Sequence, residues 1–265
     1  MSPGRKLSRA LLEAASFPGF VLGMIALTRF VGVPGLHRYD LLLLLFLGWQ
    51  VGMVALKVET PRELGAIFLF HLMGVTLEMW KVAHGGWSYP EPGWSKVLDV
   101  PLYSGFMYAS IGSFFLALWK RLELRLESPP HLGLTLALTL LAYLNFWTNV
   151  WLPDLKPLVV VLALPLFWRS RLVVELDRVR RVPLLLVFPL LGGAVWLAEN
   201  WGTAFGSWRY PRQDEGWTWV PEDKLLSWTV LVLVSVVIVW MLRQGPLRPL
   251  SSSSTRSSGA PPGVP

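Results

Sequence analysis

The amino-acid sequence predicts an all-α, polytopic membrane protein of about eight transmembrane helices, arranged as two parallel four-helix repeats. Three observations predict it. Hydrophobic residues make up 53% of the 265-residue chain and charged residues 15%, against roughly 25% charged in an average soluble domain. The apolar residues fall in long blocks, and mean hydropathy is +0.48. Basic residues are unevenly divided between the loops, and one motif occurs twice. A soluble globule cannot bury so much apolar surface and still cover itself with polar groups.

The elements follow in chain order, each judged against the roughly 20 residues a helix needs to cross the hydrocarbon core. The N-terminal MSPGRKLSRALLEAASF has the look of a signal-peptide n-region. The apolar stretch after it is too long and no small-residue cleavage site closes it, so 10–30 is read as a retained first span. Spans at 40–56 and 64–82 follow, the latter carrying His71 and Glu78. A fourth, 102–119, is led by Val100-Pro101, and a fifth, 132–152, bears a polar stripe of Asn145, Thr148 and Asn149. The sixth, 155–174, is the weakest. Its clean run ends at Trp168, and full length takes in Arg169 and Arg171, which must snorkel to the interface. Spans at 183–201 and 225–242 complete the set. These give an integral membrane domain over 1–243, with halves of about 1–125 and 126–243. The Ser/Pro/Gly-rich stretch 244–265 is predicted to be a disordered cytoplasmic tail.

Loop charge sets the orientation. With the N-terminus in the cytoplasm, 16 of the 24 Lys and Arg residues fall inside and 8 outside, as positive-inside topology requires. Both termini are therefore predicted to be cytoplasmic, in a multi-pass protein of the cell membrane. The same distribution explains the net charge of +7 and argues against nucleic-acid binding, since no basic patch forms on a soluble face. The lipid bilayer is the expected partner, together with a lipophilic small molecule. Nine of the 15 Trp lie at or beyond the outer interface, more than an aromatic belt with two rims accounts for. The absence of cysteine excludes disulfides, thiolate metal sites and Cys nucleophiles.

The most specific signal is self-similarity. From Glu78 the chain reads EMWKVAHGGWSYP, and from Glu199 it reads ENWGTAFGSWRYP, at a constant offset of 121 with seven matches in 13 positions. Each segment runs into a polar loop and then a Val-Pro. With four spans per unit the halves share one orientation, a parallel repeat about an axis along the membrane normal, and both motifs face the outer side.

Intramembrane carboxylates are functional candidates by default. Glu78 and Glu199 are accordingly the expected acids; the bland alternative is that each anchors its own loop. Trp87, Tyr89, Trp208 and Tyr210 present aromatic faces that suit a cation or an interfacial anchor. His71 lies two helical turns below Glu78 on the same face, placed for a proton relay or for helix packing. His84 stands at the mouth as a ligand or a plain loop residue, and Asn149, in the polar stripe of the fifth span, lines a cavity or joins helices. No metal is expected, because no compact ligand motif such as HExxH is present, and no cofactor is implied.

The runs FHLMGVTLEMWKVAHGGWSYPEPGW, VPLYSGFMYASIGS and WLAENWGTAFGSWRYP resemble the YoaT-like family of uncharacterised bacterial integral membrane proteins, over nearly the whole chain to about residue 242. That resemblance implies fold and location. A more distant likeness is to membrane lycopene cyclases and carotenoid hydratases, which carry an acidic-Asn pair, Gly-x-Trp-x-Tyr, and Val-Pro with two acids. The second motif has Glu199-Asn200, Gly206 to Tyr210, and Val220-Pro221-Glu222-Asp223 in that order; the first departs, with Met79 for the Asn and no acids after Pro101. The likeness implies protonation of an isoprenoid double bond, with Glu78, Glu199 and Glu222 as acids and the Trp and Tyr residues as cation stabilisers. The rival readings are a small-solute or proton-coupled transporter, with Glu78, His71 and Glu199 on its pathway, and a structural membrane protein.

Overall fold

The structure is a computed structural model that describes residues 3–176 and 178–243; the predicted tail at 244–265 lies outside the described residues. The chain is mostly helical. In order come α1 (Pro3–Ala14), α2 (Ser16–Phe30), α3 (Arg38–Ala55), α4 (Pro61–Ala83), α5 (Ser104–Arg121), α6 (Leu132–Thr148), α7 (Lys156–Phe167), α8 (Leu184–Ala204) and α9 (Asp223–Arg243). Each apolar block read from the sequence holds helix. Among the described residues, α3, α4, α8 and α9 are long and apolar enough to cross a membrane, and α1 with α2 makes a fifth if the bent pair is one span.

The first block is broken, with α1 and α2 meeting at 50°. Pro18 sits in the first turn of α2. It has no N–H to offer the carbonyl four residues back and its ring crowds that carbonyl, so a continuous helix through Ala14 is disfavoured. The sixth block is shortened. α7 ends at Phe167 after 12 residues, about 18 Å of helix against the roughly 30 Å of a hydrocarbon core. The expected continuation to residue 174 is instead strand, because Arg171 to Glu175 pair with neighbouring backbone.

Among the described residues, five short strands qualify the all-α expectation. β1 (Lys96–Val97) and β2 (Val100–Pro101) form a tight hairpin, whose two turn residues, Leu98 and Asp99, both have positive φ, as a type I′ turn requires. β3 (Arg125–Glu127), β4 (Arg171–Glu175) and β5 (Val179–Pro183) form a three-stranded antiparallel sheet. It collects the basic segments near 125 and 171–181 at one end of the molecule.

α4 begins with a full capping box: Thr60 accepts from the Glu63 backbone N–H and Glu63 accepts from that of Thr60, with Pro61 as the first helical residue. α4 packs along α5 and α8 along α9, while α5 and α9 meet between these pairs. Close approach depends on two glycines. A Cβ on Gly74 would stand 2.3 Å from the Tyr108 ring, and one on Gly192 would stand 2.6 Å from the Thr229 hydroxyl. The interior is filled by Phe17, Tyr39, Phe46, Tyr103, Phe167 and their neighbours. The outward faces carry exposed Leu44, Val51, Leu140, Val161, Leu186 and Leu190, a surface that suits lipid better than water.

Candidate functional site

Glu78 lies in the last turns of α4. The helix ends because Gly85 takes a left-handed φ of 73°, which lets the Gly86 N–H return to the Lys81 carbonyl at 2.8 Å. The chain then runs extended, so Trp87 and Tyr89, two residues apart, point the same way. Both reach back to Glu78. The Trp87 indole N–H donates to Oε2 at 2.6 Å, the Tyr89 hydroxyl to the same oxygen at 2.8 Å, and the Tyr108 hydroxyl of α5 to Oε1 at 2.7 Å.

Glu199 is built the same way at the end of α8. Gly206 has a φ of 69° and the Ser207 N–H returns to the Gly202 carbonyl at 3.0 Å. The Tyr210 hydroxyl donates to Glu199 Oε1 and the Trp228 indole N–H of α9 to Oε2, each at 2.5 Å. Trp208 makes no such bond. It lies flat against Gly202, where a Cβ would meet the indole at 2.1 Å.

The two turns meet. Ser88 and Arg209 form an antiparallel bridge, N–H to carbonyl in both directions at 2.8 and 2.9 Å. Trp87 and Tyr210 touch edge to face across it at 5.8 Å. Further clamps hold the junction. The Tyr39 and Tyr103 hydroxyls both donate to the Ser207 carbonyl, and Arg38 donates to the Phe205 and Gly206 carbonyls at the end of α8 and to Glu91.

Both carboxylates line one cavity of about 310 Å³. Its walls are mainly apolar, from Val21, Leu77, Ile111, Phe114, Leu191 and Val195 among others, and its polar end adds Lys81, Lys156, Lys224, Trp87, Trp208 and Asn149. Glu78 and Glu199 are only 4% and 5% exposed. In each carboxyl group a Trp N–H, which can only donate, meets Oε2, whereas Oε1 meets a tyrosine hydroxyl, which donates or accepts. A proton on either acid is therefore accommodated at Oε1. Beyond the helix ends, burial and then the neighbouring carboxylate push the hydroxyls of Tyr89 and Tyr210 well above their ordinary range, so both keep their protons.

The structure thus brings together Glu78, Glu199, Trp87, Tyr89, Trp208, Tyr210 and Asn149. It separates the others. Glu222 is exposed and borders a different surface groove with Trp196 and Trp219. Asn200 is buried and holds a loop, donating to the Trp196 carbonyl and accepting from the Val220 N–H. His71 packs its ring on Phe106 at 4.6 Å, against Gly105 and away from the cavity, with its buried Nδ1 unpartnered. His84 is exposed, its Nδ1 at 2.8 Å from the Trp80 carbonyl and its ring against Trp151. Among the described residues no group of three or more His, Asp or Glu is placed to hold a metal. Sequence reasoning did not single out Tyr108, Trp228, Lys81, Lys156 or Lys224 as site residues. Their common signal is a polar or indole side chain within two turns of one end of an apolar block.

Residues 7–236 match the family described as a protein of unknown function, DUF817. The chain is 42% identical over 229 residues to the uncharacterised protein YoaT of Bacillus subtilis (strain 168), covering 86% of this chain and 87% of that protein. No solved structure matches it.

Proposed function

The chain belongs to the DUF817 family of unknown function, and we propose that it is an integral membrane protein whose two Glu-to-Pro motifs build one outward-facing site for acid–base chemistry on an isoprenoid or carotenoid-like lipid. The observation that carries this reading is that Glu78 and Glu199 open together on a single, mainly apolar cavity. A lipophile fills the apolar part, and a carboxylic acid at the polar end delivers a proton to it.

In this reading the eight apolar blocks all cross the membrane, with α5 and α6 completing the count together with the short α7, around which the bilayer thins, and the molecule is two parallel four-helix repeats with both termini cytoplasmic. Several pairs 121 residues apart support the repeat. Ser88 bridges Arg209, Gly85 and Gly206 share a left-handed φ, and Tyr89 and Tyr210 each donate to the glutamate eleven residues before them. The reading places a two-fold axis between Ser88 and Arg209. The transport alternative needs a proton path from His71, and that ring does not line the cavity on which Glu78 opens.

The test is solvent deuterium. The protein in nanodiscs is incubated in D₂O with polyprenyl lipids and carotenoids, which are extracted and weighed by mass spectrometry. Deuterium should enter the carbon skeleton of one lipid class in the wild type and not in Glu199→Gln. Folded wild-type protein that labels no lipid would contradict the reading.

A further inference from the structure

The polar end of the cavity holds charges that do not pair with one another. Lys81, Lys156 and Lys224 all line it beside Glu78 and Glu199. Among the described residues none of the three ammonium groups lies within 4 Å of either carboxylate. The carboxylate oxygens are instead filled by Trp and Tyr donors. Lys81 donates to the Asn149 amide oxygen. Lys156 pairs with Asp154 at 2.6 Å, an acid that is 45% exposed outside the chamber. Lys224 rests its ammonium on the Trp87 and Tyr210 rings, 5.2 and 5.0 Å from their centroids. The three also feel one another's charge.

Like charges in a low-dielectric chamber repel strongly, and among the described residues only Lys156 of the three has an acid against it. Here the aromatic donors occupy the carboxylates and leave the ammonium groups facing the cavity. Lys156 and Lys224 also lie in the first turns of α7 and α9, where the helix dipole adds favourable potential for an anion. The cation-binding ring faces of Trp87 and Tyr210 are already occupied by Lys224. The apolar walls below require a long hydrocarbon.

We propose that the ligand of this cavity is an amphiphile with an anionic head, a phosphate or carboxylate, held by Lys81, Lys156 and Lys224, its tail lying along the apolar walls between α2, α5, α8 and α9. This rests on the lipophile-site reading and narrows the lipid to one bearing a negative head.

The probes are dodecyl phosphate, dodecanol and inorganic phosphate, titrated against the purified full chain in nanodiscs with tryptophan fluorescence as the signal. Dodecyl phosphate is expected to bind at least tenfold more tightly than dodecanol. Lys81→Gln and Lys224→Gln should each weaken it about tenfold, while Lys81→Arg and Lys224→Arg retain it; melting temperatures without probe establish that each variant is folded. If the Gln variants do not fold, loss of the phosphate preference of the wild type at high salt stands in for them. Inorganic phosphate that competes at the same lysines, with dodecanol not binding, supports an anion site for a free phosphate and removes the lipid tail. Dodecanol binding as tightly as dodecyl phosphate, unchanged in the Gln variants, overturns the anionic head and leaves the lipophile site standing. Failure of all three probes overturns both.

Discussion

Replacing Glu78 separates a residue that carries a proton from one that anchors by its charge. The side chain accepts three donated hydrogen bonds, from Trp87, Tyr89 and Tyr108. Glu78→Ala removes every acceptor and leaves three donors in a chamber where the native side chain is 4% exposed. An orphaned buried donor costs about 1–3 kcal/mol. The two hydroxyls can turn toward whatever fills the space, whereas the indole N–H cannot, so the loss is expected near the lower end, about 3 kcal/mol. Glu78→Gln keeps one oxygen for Trp87 and Tyr89 and turns its amide toward the Tyr108 hydroxyl, which then accepts. That exchange costs about 1 kcal/mol. At this chain length 1 kcal/mol moves Tm by about 2–4 °C. Thermal unfolding in nanodiscs, followed by tryptophan fluorescence, should therefore fall by about 2–4 °C for Gln and by 6 °C or more for Ala. Glu199, with two donors, should give an Ala effect about two-thirds as large. If Ala is tolerated as well as Gln, the carboxyl does not organise the turn. If Gln is as damaging as Ala, the site needs the negative charge, and the acid-catalytic account is refuted.

Further outcomes follow from the same structure. Gly85→Ala and Gly206→Ala should each cost about 1–2 kcal/mol, since both hold left-handed φ and a Cβ on Gly85 meets nothing within 4 Å; chemical denaturation in detergent measures it. Glu59, in the loop before α4, accepts from Gln50 and Ser113, and burial raises its carboxyl above the ordinary value. A raised acid binds its proton more tightly when folded, so stability falls as pH rises from the unfolded value through the folded one. Glu59→Gln should flatten that decline in a Tm-against-pH series, and an unchanged slope would place its origin elsewhere. Because the native chain has no cysteine, single cysteines at exposed Arg180 and Glu215 report sidedness. A membrane-impermeant maleimide should label Glu215→Cys in intact cells and spare Arg180→Cys.

The repeated motif was legible because its chemistry is local. A glutamate near a helix end, a glycine that turns the chain and a tyrosine that returns to the glutamate lie within 13 residues in both copies, so spacing alone puts them together; the Trp returns to it only in the first. Tyr108 and Trp228 were not legible. They stand 30 and 29 residues from the carboxylates they bond, and only the packing register of α5 on α4 and of α9 on α8 aims them. The lysines were hidden for another reason: in a membrane sequence their count at helix ends is already explained by topology. Glu222 was drawn in by its place after Val220-Pro221, yet one residue later α9 begins, and the turn leaves it facing outward. His71 shares a helix face with Glu78, but Gly105 opens a slot for its ring in α5, short of the cavity. The apolar blocks marked where helices lie and not where they end. Helix ends depend on single residues such as Pro18 and Arg171, whose effect a hydropathy window averages away.

The central claim is that two motifs 121 residues apart form one site, and a disulfide tests it most directly. Ser88 and Arg209 face each other in the bridge between the two turns, and hydrogen-bonded antiparallel partners have Cα atoms about 5.5 Å apart, within the range a disulfide spans. In the otherwise cysteine-free chain, Ser88→Cys with Arg209→Cys should close an intramolecular bond under mild oxidation, seen as a mobility shift of the monomer that a reductant reverses, while each single variant shows none. A double variant that stays reduced, or links only between molecules, would contradict the shared site.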